Sequence, residues 1–299
     1  DAIAEAQMVT EPIPSIDKID SAFEGKLVYA RGNAVTNDEL TDPVFGVKVN
    51  AIKMRRHVEY YQWVEHSKSE KRTKLGGGEE TVTTYTYSKE WVDTPVDSQT
   101  FKKMEGHENK TRIQSENVSW IAPNVTFGAY RFPEFLTRSI SGEKALTISL
   151  SDAQRAELQK AFFAPNANMD TSQVVGQQGA SMIHIQGNTL YVGRQPGTPS
   201  IGDVRVTFFE TPAAEVSIIA KVNGNTFVPF LASNGNTFYR LAMGTQDMNG
   251  MFESAKSSNA TTAWLLRGLG VVLCIAGFGM IFAPLKVLAD VIPLLGNIV

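Results

Sequence analysis

Short runs in which apolar and polar residues alternate fill most of the chain, and one unbroken apolar run closes it. The two-residue period predicts strands with one buried face. GKLVYARGNAV (25–35) alternates in this way and ends at a turn, and VFGVKVNAIKMRRHVEYYQWVEHS (44–67) continues the pattern at length. A charged stretch, Lys68 to Lys74, then leads to a loop tip at Leu75-Gly76-Gly77-Gly78. ETVTTYTYSKEWV (80–92) is rich in the β-formers Val, Thr, Tyr and Trp, so 57–66 and 80–91 are expected to pair as a long antiparallel hairpin. Residues 100–145 look irregular, with short strands in SWIAPNVTFGAYRF. AQRAELQKAFF has a helical pattern with Ser151 as its N-cap. Further strands are expected in SMIHIQGNTLYVGR (181–194, turning at Gly187-Asn188), GDVRVTFFETP, AEVSIIAKVNGNTFVPFLA and NTFYRLAMG, with turns at Asn223-Gly224 and Asn234-Gly235.

The closing run is GLGVVLCIAGFGMIFAPL (268–285), which carries no charge. With Trp264, Leu265 and Leu266 ahead of it, it is long enough to cross a hydrocarbon core of about 30 Å. Trp264 sits where an interfacial aromatic is expected, and Arg267 can reach back to the headgroups. Gly268, Cys274, Phe278 and Phe282 fall inside the expected span, and no glycine pair there has the G-x-x-x-G spacing of a helix-dimer face. A buried core helix is the plainer reading of such a run; length and low charge favour the membrane. KVLADVIPLLGNIV follows, either an amphipathic interfacial segment or the turn into a second span.

The fold class is therefore a mostly-β (α+β) ectodomain with a C-terminal transmembrane helix. Its expected divisions are a linker at 1–24, a first β-rich module with the long hairpin at 25–145, a helix and second β-rich module at 146–246, a helical connector at 247–262, the span at 263–284 and the interfacial segment at 285–299. NTLYVGR near 188 and GKLVYARG near 25 each precede a turn and a strand pair, which leaves two related modules open. The chain starts at Asp1 without a Met or a signal peptide and stops in mid-apolar sequence. An incomplete chain is expected, with a further membrane helix before 1–24 and more membrane sequence at one or both ends.

Net charge is −3 and the isoelectric point about 5.9, so there is no basic footprint for nucleic acid. The one cysteine excludes an intrachain disulfide and a cysteine metal site. The four histidines, at 57, 66, 107 and 184, lack ligand spacing, so no metal is expected. No hydrolase, phosphate-loop or dinucleotide pattern occurs, and Gly76-Gly77-Gly78 opens no helix, so no cofactor is expected. Asn109, Asn117, Asn124 and Asn259 begin N-x-[ST] sequons. Asp203 and Arg205 in GDVRV read as a structural ion pair.

The densest charge is Lys53, Arg55, Arg56, His57, Glu59 and Glu65. On a strand, Lys53, Arg55 and His57 share one face, and Arg56, Val58 and Tyr60 take the other. The group reads either as a charged docking or self-association surface, near anionic headgroups, or as a solvated hairpin face paired with Glu79, Glu80 or Glu90. Tyr60, Tyr61, Trp63, Tyr85, Tyr87 and Trp91 make an aromatic hairpin, with Tyr61 and Trp63 on one face and Tyr85, Tyr87 and Trp91 together on the facing strand, read either as core or cross-strand stacking or as a protein-binding surface.

DPVFGVKVNAIKMRRHVEYYQWVE (42–65), with YTYSKEW (85–91), GDVRVTFF (202–209) and the Trp-initiated final span, resembles the LUMA or transmembrane protein 43 family over roughly residues 25–295. The resemblance implies a first membrane helix, a large lumenal or periplasmic domain and three more membrane helices. In animals it implies a protein of the endoplasmic reticulum and inner nuclear membrane that self-associates and binds other membrane proteins. A bacterial member would sit in the cytoplasmic membrane. No enzyme activity or cofactor transfers. The expected function is thus a non-enzymatic membrane scaffold whose partners are itself, other membrane proteins and the bilayer. The alternative is a channel or transport component; a membrane-tethered hydrolase has no motif behind it.

Overall fold

The computed structural model describes residues 1–163 and 182–291, with the helical backbone alone given for 278–291. Its main elements in chain order are α1 (Ala2–Val9), β1 (Leu27–Thr36), β2 (Lys53–Thr73), β3 (Glu79–Val92), β4 (Val118–Ile121), β5 (Val125–Phe127), β6 (Tyr130–Phe132) and α2 (Glu134–Ser139), then α3 (Asp152–Phe163), β7 (Ile183–Gln186), β8 (Thr189–Val192), β9 (Val204–Thr211), β10 (Ala214–Asn223), β11 (Thr226–Val228), β12 (Arg240–Met243) and α4 (Met248–Val291). The fold is strand-rich, with a long C-terminal helix, as the alternation predicts.

The chain forms two compact units, one of residues 33–214 and one of residues 1–32 with 215–299. This division differs from the sequential modules meeting at 145/146. The reason is long-range pairing: β9 lies antiparallel to β2 with Val204 opposite Tyr60 and Thr211 opposite Lys53. Strands from both expected modules therefore share one sheet, and no duplication is visible in its order.

In the unit of residues 33–214, the strand order is β7-β8-β9-β2-β3, antiparallel throughout, with β4 beside the start of β2. β2 shows why it folds here. Met54, Arg56, Val58, Tyr60 and Gln62 are buried while the intervening residues face outward. Opposite them on β9, Val204, Val206 and Phe208 are fully buried. Phe45 closes this layer, 5.6 Å from the Phe162 ring on α3 and 6.2 Å from Phe208. α3 opens with the capping pair that Ser151 predicts: its hydroxyl accepts from the Gln154 N–H at 3.1 Å, and the Gln154 side chain accepts from the Ser151 N–H at 2.9 Å. β2 and β3 pair in register from Tyr60↔Val92 to Thr73↔Glu79, the long hairpin expected.

In the unit of residues 1–32 and 215–299, β10 pairs with β11 and β12, and the Val222 N–H donates to the Lys26 carbonyl ahead of β1. Residues 1–24 are more than a linker. α1 is capped by the Asp1 carboxylate on the Ile3 N–H, and it buries Ile3 and Ala6 against Leu27, Ile219, Phe238, Met251, Phe252 and Ala255. The last three belong to the first turns of α4, so the long helix is rooted in a core. α4 runs unbroken through the Ser/Asn-rich stretch of the expected helical connector, where the Thr261 and Thr262 hydroxyls donate to the Ser257 and Ser258 carbonyls. Its backbone also continues past 285, where a separate segment was expected, to Val291.

The Phe252 ring is buried and stacks on Phe238 at 5.6 Å. Phe252→Ala should destabilise the chain by about 3–5 kcal/mol, read as a lower unfolding temperature in detergent. A variant that melts with the parent would remove the rooted-helix description.

Candidate interaction surface

The alternation of β2 decides which charges are available outside. Lys53, Arg55, His57, Tyr61 and Trp63 are odd-numbered and face outward, together with Tyr85, Tyr87 and Trp91 from β3. Arg56 does not belong with them. Its side chain is 4 % exposed and makes a two-pronged bond to the wholly buried Asp42 carboxylate, at 2.7 and 2.9 Å. Its Nε donates to the Glu116 carbonyl, and the Phe45 and Trp120 rings lie over the guanidinium at 5.1 and 5.7 Å. Asp42 also accepts the N–H groups of Val44 and Phe45 and so fixes the turn of residues 42–46, where Gly46 takes the left-handed φ of 73°. The expected docking residue Arg56 is a core residue, because even-numbered positions of this strand point inward.

On the outer face, cations and rings interleave. The Arg55 guanidinium lies 4.3 Å from the Phe209 ring and is bonded to Glu143. Arg205 of β9 lies 4.3 Å from Trp91 and binds Glu59 through both of its oxygens. Lys89 lies 5.0 Å from Trp63. Such pairs suit a surface that meets a partner. The Lys53 amine donates to the Arg138 carbonyl, and partial burial pushes its pKa down against the pull of Glu143. The aromatic set is partly covered: His107 stacks on Tyr87 at 3.8 Å and meets Trp63 edge-on, while Tyr61 packs on Trp91. Of the set, Tyr85 lies furthest into the bare part of the hairpin and is exposed.

Ion pairs of the expected kind run along the hairpin: Lys71 to Glu79, Lys74 to Glu80 and His66 to Glu90. His57, Glu59 and Asp93 converge to within 4.8 Å, a grouping that spacing along the chain does not reveal. The donor set is already satisfied internally. Arg205 holds both oxygens of Glu59, and the His57 ring nitrogen lies 3.1 Å from Asp93.

Asp203 and Arg205 are not a pair: Asp203, just ahead of β9, is held by Arg112, and Arg205 is held by Glu59 across on β2. Asp203 is buried and bonds Arg112 at 2.7 Å, the Tyr191 hydroxyl at 2.5 Å and the Ser200 N–H at 3.0 Å. Burial, then the Asp203 bond, pushes the Tyr191 hydroxyl far above its ordinary pKa. Gly193 is tucked against this carboxylate, where an added Cβ would lie 2.5 Å from its carbon. Asn109 and Asn117 act in place of strand neighbours along β2. The Asn109 amide accepts from and donates to the Trp63 backbone, and Asn117 accepts from the Val58 N–H. The sequence patterns show neither role.

On α4, Trp264 is exposed and Arg267 lies 5.4 Å from its ring; Gly268 and Cys274 are also exposed. The side chains of Phe278 and Phe282 lie outside the described residues. Among the described residues this is one helix long and apolar enough to cross a membrane, and none of its apolar stretch is buried.

The family model described as Transmembrane protein 43 matches residues 60–299. A mouse protein named transmembrane protein 43 is 28 % identical over 308 residues, covering 100 % of this chain and 70 % of its own length. A human protein of the same name is 27 % identical with the same coverage. A Drosophila melanogaster homolog is 26 % identical over 276 residues, covering 91 % of this chain and 66 % of its own. No solved structure matches.

Arg56→Ala strands the buried Asp42 charge and should destabilise by about 3–5 kcal/mol, whereas the exposed Arg55→Ala should change stability by about 1 kcal/mol or less. Thermal melts of the two variants side by side check this, and equal melts would contradict the burial. Arg55 also holds the Glu143 carboxyl below its ordinary value of 4.5. A depressed folded pKa gives stability that is present above 4.5 and lost as the pH falls through the folded value. Glu143→Gln should flatten that acid limb slightly in melts across the range, since the pair is exposed.

Proposed function

The chain belongs to the transmembrane protein 43 family, and we propose that it is a non-enzymatic membrane scaffold that self-associates through its β-rich domain and gathers other membrane proteins. The observation that carries this reading is the β2–β3 ribbon: beyond Glu65 it is exposed on both faces, with no core of its own. A two-stranded hairpin alone in water is marginally stable, so an arm of this length is suited to docking. The outward face that leads to it, with Lys53, Arg55, His57, Tyr61, Trp63, Tyr85, Tyr87 and Trp91, supplies the charge and rings of an interface. The relatives' names state a membrane location and no reaction.

The mechanism is avidity. Anchors such as α4 confine copies to two dimensions, which raises their effective concentration and lets a weak contact hold. The reading places the domain in the lumen of the endoplasmic reticulum and inner nuclear membrane of an animal cell, or in a bacterial periplasm.

The mass of the detergent-extracted particle tests this, measured with and without residues 263–299. A discrete multimer that survives the truncation supports assembly through the β-rich domain. A multimer that falls to monomers moves assembly to the membrane helix and favours the channel or transport alternative. Monomers in both forms overturn self-association.

A further inference from the structure

The outer edge of β3 is the least protected feature of the sheet. β3 is 14 residues long, ends the strand order, and has no strand paired along that edge among the described residues. Soluble sheets normally blunt such an edge with charged side chains, a proline, a bulge or a covering loop, because bare N–H and C=O groups recruit another strand, and β3 carries charge only toward its ends, with none from Thr81 to Ser88. β3 has no proline, its pairing to β2 is unbroken, and it reads E-E-T-V-T-T-Y-T-Y-S-K-E-W-V. Threonine, tyrosine and valine favour a strand in any environment that pairs it.

We propose that the occupant of this edge is β3 of a second copy, joined antiparallel about a twofold axis through Thr84. The inference rests on the self-association reading and specifies its contact. A twofold axis through the sheet keeps each residue on its own face, so only registers centred on a residue are allowed. Centring on Thr84 places Glu79 opposite Lys89 of the other copy, twice by symmetry. It also places Thr81 opposite Tyr87 and Thr83 opposite Tyr85 on the outward face, with Val82 opposite Thr86 behind. Opposite charges and threonine–aromatic neighbours are favourable cross-strand pairs. Centring one residue later, on Tyr85, sets Glu80 against Glu90, a like-charge contact. Centring one earlier, on Thr83, sets Lys89 against Gly77 and offers no charge pair. Charge complementarity therefore selects the Thr84 register.

Both charges lie at the surface, where they can reach the contact. Glu79 is exposed, with only a 3.8 Å approach to Lys71, and Lys89 is exposed above Trp63. The ion pairs within the ribbon lie at the surface and hold it weakly. Pairing would turn two unsupported ribbons into one four-stranded sheet, which removes the bare edge and supplies the missing neighbours.

The test uses the full chain in detergent, with the dissociation midpoint read from particle mass on dilution. Glu79→Lys and Lys89→Glu should each raise the midpoint concentration by about tenfold or more, and the double variant should restore it. In a Cys274→Ser background, Thr84→Cys should yield a covalent dimer on mild oxidation. Val82→Cys alone should not, since Val82 faces Thr86, yet mixed with Thr86→Cys it should. A multimer indifferent to the charge variants, with no crosslink at residue 84, overturns the edge pairing and leaves self-association standing. A parent protein that is monomeric at all concentrations overturns both.

Discussion

Arg56 carries a full charge into a layer otherwise made of Met54, Val58, Tyr60, Val206 and Phe208. A charge in that setting is tolerated only when a partner is held ready, and Asp42 is held by the turn it caps. The pair therefore joins a local turn to β2, an inner strand of the sheet. It also fixes register. Sliding β2 by one residue would turn Arg56 out, bring Arg55 and His57 in and strand Asp42. Which residues meet solvent on the other face is thus set from inside. The interleaved cations and rings of the outer surface are a consequence of a single buried contact.

Much of the architecture is legible in the chain itself because strand alternation is a local property. The 57–66 and 80–91 hairpin, the Ser151 cap, the turns at Gly187 and Gly224 and the apolar C-terminal helix each follow from a few neighbouring residues. What is hidden depends on distant ones. Arg56 looks like its exposed neighbours until Asp42 is seen beside it, although its place between Met54 and Val58 already marks the inward parity. Asp203 finds Arg112, far off in sequence, rather than Arg205 two residues away. The pairing of β9 with β2 joins residues from both sides of the expected module boundary, and no periodicity reports which strand lies next to which. Residues 1–24 look like a linker because the core that α1 joins is assembled mainly from residues beyond 218.

The candidate surface divides in the same way. Its odd-numbered members were recoverable from alternation alone. The cover given by His107, the Arg205–Glu59 bond and the convergence of His57 and Asp93 come from loops and strand ends, where side-chain direction has no period to follow. The inner end of the hairpin is closed by these contacts, and the outer end is bare. Stability and availability are thus separated along one pair of strands.

The unbroken course of α4 has a mechanical meaning. From Ala255, the last residue of its packed root, to Trp264 at the expected membrane boundary, the helix rises roughly 13 Å at 1.5 Å per residue. No glycine or proline interrupts that interval. A bilayer thinner or thicker than the apolar stretch tilts a spanning helix. With no joint to absorb it, the tilt becomes a rotation of the packed core of residues 1–32 and 215–255. A helix rooted in this way would couple any tilt of its apolar end to the core it leaves.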